Sequence, residues 1–251
     1  YSLYNIFFLA LSAYITPNFA IFSIFYFIKF ICLFKNSKNL ILIILLNVLL
    51  AFPAIFYYIK TDFYLFKYTV ESVDSYTKYN LANKVIIITS IIFFYFIPFF
   101  EYNKIKNFKI SNLFFYKNYL IAIIFCLPII FLFNFPNNLG FGGGIFFHLS
   151  NKIFSNSLIL LLIFIFAIYA FKFNGMMNTN NYILFFCLIF YNTQNSIYHK
   201  YFDPLIYFLI LFLIEFNDNK KFMINNKLFS KVFVLYVFFL ILSFSKKYLI
   251  Y

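Results

Sequence analysis

Long apolar runs alternate along the whole chain with short gaps that carry lysine. Clear examples are the runs 41–59, 85–100, 157–171 and 232–244, and charged residues are almost confined to the gaps between such runs. A water-soluble globule needs a polar face, and this pattern leaves none, so the lipid bilayer is the expected solvent. The sequence therefore predicts an all-α fold, namely a polytopic transmembrane helix bundle with short surface helices in its outer loops.

The runs form one transmembrane helical domain over 1–251, with about eight or nine membrane spans, because a helix needs about 20 apolar residues to cross a bilayer. The chain opens inside an apolar run, without an initiator Met or a signal-peptide pattern, so we expect an N-terminally incomplete chain. The predicted spans are 2–15, 19–34, 40–59, 85–100, 118–134, 157–172, 181–192, 201–216 and 231–247.

The lysines predict which gaps face the cytoplasm. One set of alternate gaps carries eleven lysines and the other carries eight, with Lys84 counted in the second set. Lysine-rich loops stay on the cytoplasmic side of a membrane, so the first set is predicted to be cytoplasmic. The outer loops are then 60–84, 135–156 and 193–203, and the predicted location is the bacterial inner membrane.

The composition favours lipid over nucleic acid as a partner. The formal net charge of +13 comes from lysines at the ends of apolar runs, as expected for anchoring at lipid headgroups. No solvated stretch alternates basic and aromatic residues, which argues against nucleic acid as a partner. Cys32, Cys126 and Cys187 lie inside apolar runs without metal or redox spacing and are interpreted as packing residues.

The 135–156 loop holds four of the five glycines. Gly142, Gly143 and Gly144 precede the apolar stretch 145–149, which predicts a glycine turn that leads into a short helix at the membrane surface. Free backbone N–H groups at its start would attract a phosphate. A flexible connector fits the same residues, because the lysine and hydroxyl pair of a phosphate-binding loop is missing.

The stretch 192–204 is the second candidate site. Asp203 precedes Pro204 and a hydrophobic span, so it would serve as a helix cap. Alternatively, His199 and Lys200 would bind a lipid phosphate at headgroup depth while Asp203 binds a sugar hydroxyl. His199 and His148 are the two histidines of the chain and make a poor metal site, so no cofactor is indicated, and a divalent metal is neither required nor excluded.

The 60–84 loop is the third candidate. Its carboxylates Asp62, Glu71 and Asp74 are interleaved with tyrosines, a mixture that suits carbohydrate, because acids bind hydroxyls and rings cover the apolar faces of sugars. An amphipathic surface helix would have the same pattern.

Three stretches resemble multispanning glycosyltransferases of the GT-C class, which use polyprenyl-phosphate-linked sugars. They are Ala-Leu-Ser-Ala-Tyr-Ile-Thr-Pro-Asn-Phe at 10–19, Gly-Gly-Gly-Ile-Phe-Phe-His-Leu at 142–149, and Tyr-His-Lys-Tyr-Phe-Asp-Pro-Leu at 198–205. The last is similar to segments of dolichyl-phosphate-glucose-dependent glucosyltransferases, with a different residue order. The resemblance covers the C-terminal portion of such an enzyme and implies a membrane transferase with a polyprenyl-phosphate-linked sugar as donor.

The leading prediction is a periplasmic transfer of a sugar to a lipid- or polymer-linked acceptor. Asp203 or Asp62 would be the catalytic carboxylate, and the substrate-binding residues would be His199, Lys200, Gly142, Gly143, Gly144 and His148. An O-antigen polymerase or ligase is a related alternative. A transporter or lipid flippase is less favoured, because no inverted repeat is evident and Lys29 and Glu215 lie near span ends. A non-catalytic membrane subunit is the remaining alternative.

Overall fold

Every regular element in the part of the chain that the structure describes is a helix. The computed structural model describes residues 2–33, 37–61, 81–100, 127–133, 143–191, 197, 199–203, 205–216 and 226–249. The predicted all-α class is therefore confirmed for these residues. The helices are α1 Ser2–Ile15, α2 Phe22–Leu33, α3 Ser37–Thr61, α4 Leu81–Phe96, α5 Gly144–His148, α6 Ser157–Phe173, α7 Thr179–Tyr191, α8 Leu205–Phe212 and α9 Asn226–Leu249.

Helix α4 lies at the centre of the fold. Together with the 3-10 turn Ile97–Phe99 it forms the one helix, among the described residues, that is long and apolar enough to cross a membrane. Most of it is buried inside the protein, and the core helix of a soluble protein would have the same length and composition. The lengths of the described helices therefore do not confirm the predicted count of eight or nine spans.

Aromatic side chains fill the space around α4. The ring of Phe93 lies 5.6 Å from the ring of Phe166 and 6.3 Å from the ring of Phe171, both on α6. On another side, Phe94 lies 6.1 Å from Phe239 of α9. These rings meet edge-on or tilted, as aromatic quadrupoles prefer. The many phenylalanines of the sequence thus form the core that holds α6 and α9 against α4.

Several outer helices present large apolar side chains to their surroundings. On α3 these side chains recur at helical spacing and include Ile41, Leu45, Val48, Phe52 and Phe56. Helix α9 exposes Phe229, Phe233, Val237, Leu240 and Phe244 in the same manner. Contiguous apolar faces of this extent are unusual on a soluble monomer and require a partner or a lipid environment.

Helix α8 is shorter than the predicted span 201–216. It ends at Phe212, and the following backbone is held by Asn181, which is fully buried at the start of α7. The Asn181 amide donates to the carbonyl oxygens of Met176 and Glu215, at 2.8 and 2.7 Å, and Asn181 Oδ1 accepts from the Glu215 N–H at 3.0 Å. These bonds hold the 214–216 backbone in a non-helical conformation, so the span ends early.

The structure also corrects the placement of Lys84 and describes two of the three cysteines. Lys84, assigned to an outer loop, lies in the first turn of α4 and is 4% exposed, so it does not belong to that loop. Cys187 is buried and donates from Sγ to the carbonyl oxygen of Ile21 at 3.5 Å, whereas Cys32 is exposed. Cys126 and most of the predicted span 118–134 lie outside the described residues, although 127–131 is helical.

We expect Asn181→Ala to lower the free energy of unfolding by roughly 2–4 kcal/mol, because the Met176 carbonyl and the Glu215 N–H would lose their partner, and the Glu215 carbonyl would keep only the 3.5 Å contact from Asn178. Asn180→Ala is the matched control, since Asn180 bonds the Glu215 side chain alone, at 2.7 Å, and should cost about 1 kcal/mol or less. Unfolding of the purified protein in mixed micelles measures both. Equal, small effects would show that the Asn181 bonds do not hold the 214–216 backbone.

Candidate functional site

The two polar loops selected from the sequence meet in the structure. The Gly143 N–H donates to the carbonyl oxygen of Ile197 at 2.6 Å. The Ile145 N–H donates to Nε2 of His199 at 2.9 Å. The glycine turn before α5 is thereby joined to the segment 197–203, which contains the 3-10 turn His199–Tyr201.

Glycine is required at the two positions before this contact. Gly143 and Gly144 have φ values of 93° and 81°, in the left-handed region that side chains disfavour. A Cβ on Gly144 would lie 2.7 Å from Ile91 and 3.1 Å from Nε2 of His199, and a Cβ on Gly143 would overlap the Phe147 ring. The glycines therefore let α5 approach α4 and His199 closely. The short helix predicted at the membrane surface is formed, but it packs against α4.

His199 is uncharged in this arrangement. Its Nε2 accepts a hydrogen bond from a backbone N–H, so the ring proton must be on Nδ1, which lies 3.4 Å from the Tyr95 hydroxyl. The rings of Phe94 and Phe239 flank the imidazole, each with its centroid 5.5 Å away. Burial, with a smaller contribution from the nearby His148, lowers the pKa of His199 to about 4. His199 therefore supplies no positive charge for a phosphate at neutral pH.

Asp203 lies among tyrosines. Its N–H donates to the His199 carbonyl oxygen at 3.1 Å, and its Oδ1 accepts from the Tyr236 hydroxyl at 2.6 Å. The Tyr207 ring lies 5.8 Å from that of Tyr236 and 5.4 Å from that of Tyr95, and the carboxylate interacts electrostatically with both Tyr95 and Tyr207. We call Asp203, His199, Tyr95, Tyr207 and Tyr236 the Asp203 cluster.

The cluster lies far from the ends of α9. Tyr236 is near the middle of this 24-residue helix. At 1.5 Å per residue, about 15 Å of helix separates Tyr236 from Asn226. Asp203 is thus an ionisable group placed beside the centre of a long apolar helix.

The remaining predicted residues are distributed differently. Lys200 is exposed, and His148 is half-buried at the end of α5, close enough to His199 to affect its pKa. Gly142 and Asp62 lie outside the described residues. Within the described ranges, no group of three or more His, Cys, Asp or Glu side chains could hold a metal ion.

The tyrosines of the cluster were missed from the sequence. Tyr95, Tyr207 and Tyr236 stand in three separate apolar runs, and nothing in their spacing distinguishes them from the other tyrosines. A second polar group, at the other end of α8, was also missed as a group. Glu215 Oε1 accepts from the Asn180 amide at 2.7 Å and lies 3.8 Å from Nζ of Lys29.

No family model, curated protein or solved structure matches this chain. Its function must therefore be argued from the Asp203 cluster itself.

We expect Tyr236→Phe to destabilise the protein by about 1–3 kcal/mol, because the carboxylate of Asp203 would lose a charge-assisted hydrogen bond. Tyr182→Phe is the matched control, since Tyr182 is exposed, and should change stability by less than about 0.5 kcal/mol. A double-mutant cycle with Asp203→Asn isolates the pair. A coupling free energy near zero would show that the two side chains do not interact in solution.

Proposed function

We propose that this chain is a membrane glycosyltransferase, which moves a sugar from a polyprenyl-phosphate-linked donor to a lipid- or polymer-linked acceptor. The observation that carries the proposal is the Asp203 carboxylate, which accepts a hydrogen bond from Tyr236 and interacts electrostatically with Tyr95 and Tyr207. Carboxylates and phenol hydroxyls bind sugar hydroxyls, and aromatic rings cover the apolar faces of sugars. The resemblance of residues 198–205 to GT-C segments supports the same class of reaction.

The outer faces of the helices support a membrane location. Transfer of apolar side chains from water to lipid is favourable by about 25 cal/mol per Å². The exposed side chains of α3 and α9 form long apolar faces, and lipid tails would cover them without a further protein partner. The lysines at the ends of apolar runs would then lie at the headgroups. We propose the bacterial inner membrane as its location.

The proposed reaction uses Asp203 as a general base. Among the described residues, Tyr236 alone donates a hydrogen bond to the carboxylate, and it does so at Oδ1. Oδ2 would take the proton of the acceptor hydroxyl while that oxygen forms a bond to the anomeric carbon of the donor. The bond from that carbon to the phosphate oxygen breaks, and its electron pair leaves with the polyprenyl phosphate.

The phosphate of the donor would not be held by His199. The N–H groups of Gly143 and Ile145 already donate within the protein, and His199 is neutral. These three groups therefore do not stabilise the negative charge of a phosphate. A phosphate beside Asp203 would also be repelled by the carboxylate. The exposed Lys200 is the cation nearest to the cluster along the chain and is the proposed phosphate contact.

A transporter is a second candidate, favoured by the depth of Asp203. Ionisable groups beside the middle of an apolar helix commonly bind a transported ion or proton. The two short segments 143–148 and 197–203, which meet next to α4, also fit the interrupted helices of transporters.

Transfer activity separates the two candidates. In nanodiscs, with a panel of undecaprenyl-phosphate-linked hexoses and membrane glycolipid acceptors, we expect Asp203→Asn to lower the release of undecaprenyl phosphate by about 10² or more. Glu215→Gln, which alters the second polar group, is the control and should retain activity. The transferase proposal fails if the native protein releases no undecaprenyl phosphate. The transporter is then supported if the native protein takes up an ion or protons into proteoliposomes and Asp203→Asn abolishes this uptake.

A separate experiment tests which side of the membrane each loop faces. In a variant without native cysteines, we expect Lys200→Cys to react with an impermeant maleimide from outside intact cells, and Thr179→Cys to react only after permeabilisation. Both positions are exposed in the structure, so reactivity reports the side of the membrane. Equal labelling of both from outside would contradict the proposed orientation.

A further inference from the structure

We infer that His199 is a positioning residue, fixed as the neutral tautomer with its proton on Nδ1, which ties the backbone of α5 to the Asp203 cluster. The inference does not depend on the proposed reaction, because it holds for a transferase and a transporter alike. It differs from the expectation that His199 is a cation for phosphate.

The direction of the hydrogen bonds fixes the tautomer. A backbone N–H can only donate, so the 2.9 Å contact from Ile145 requires a lone pair on Nε2. The single proton of the neutral ring then lies on Nδ1, and it faces the Tyr95 hydroxyl oxygen at 3.4 Å. Tyr95 accepts this proton, so its own O–H must turn away from His199. The Tyr95 hydroxyl is thus oriented from the backbone of α5 through the imidazole.

The surroundings leave little freedom to the ring. Phe94 and Phe239 flank it, and Gly144 approaches Nε2 so closely that a methyl group there would lie 3.1 Å away. In the same turn, the His199 carbonyl accepts the Asp203 N–H. A shift of the imidazole would therefore move α5, the Tyr95 hydroxyl and the Asp203 backbone together.

Protonation of Nε2 would break this connection. It would place two N–H donors against each other, from Ile145 and from the imidazolium. The titratable groups that interact with the ring are Tyr95 of α4 and His148 of α5. Asp203 bonds the His199 backbone carbonyl through its N–H, and Tyr236 of α9 bonds the Asp203 carboxylate. Burial disfavours the charged imidazole, and His148 opposes it as well when charged.

Nuclear magnetic resonance tests the tautomer directly, because the chain has two histidines. The protein is labelled with ¹⁵N-histidine in nanodiscs, and His148→Gln leaves His199 as the single source of signal. We expect a protonated Nδ1 and an unprotonated Nε2, unchanged from about pH 7.5 to about pH 5.5. A proton on Nε2, or titration of the ring near its ordinary pKa of about 6.5, would overturn the inference.

Stability against pH gives a second measurement. The pKa of His199 lies below its unfolded value, so the unfolded chain binds the proton more readily. Stability should therefore be full above about pH 6.5 and fall as the pH drops towards about 4. In the His148→Gln background, His199→Gln keeps an acceptor for the Ile145 N–H but cannot titrate.

We expect the melting temperature of the His199→Gln variant to decline less between about pH 6.5 and 4.5, because the part of the decline that His199 causes is absent. An unchanged decline would show that His199 is not the neutral link. If the glutamine variant fails to fold, the tautomer spectrum of the His148→Gln protein still decides the question.

Discussion

Polar backbone groups outside the helices have to find partners within an apolar molecule, and this requirement governs the structure. Where α8 ends, the side-chain amide of Asn181 donates to the Glu215 carbonyl and accepts from the Glu215 N–H. Where α5 begins, its Ile145 N–H is satisfied by His199, and the N–H of Gly143 is satisfied by Ile197. A buried donor or acceptor left without a partner would cost about 1–3 kcal/mol.

The same requirement gives two polar side chains, Asn181 and His199, a structural role. Asn181 is fully buried and makes its bonds to backbone groups. His199 links the backbone of one segment to a side chain of another. Phenylalanine supplies the packing around these points, through ring contacts between α4, α6 and α9.

The electrostatics of the Asp203 cluster constrain what it can bind. One carboxylate, three phenols and a neutral imidazole make a site that suits hydroxyls or a cation better than an anion. A phosphate would therefore have to contact the exposed Lys200, which follows His199 in the same turn, rather than the cluster side chains.

The sequence by itself determined the helical class, the positions of most helices and two segments of the site. Those features depend on local composition: apolar runs, glycines at φ above zero, and an acid before proline. It did not determine the end of α8, the burial of Lys84, the neutral state of His199 or the tyrosines around Asp203. Each of these depends on groups far apart in the chain, such as Tyr95 and Tyr236. Only tertiary packing brings these groups within hydrogen-bonding distance and removes the water that would otherwise keep His199 in its ordinary titration range.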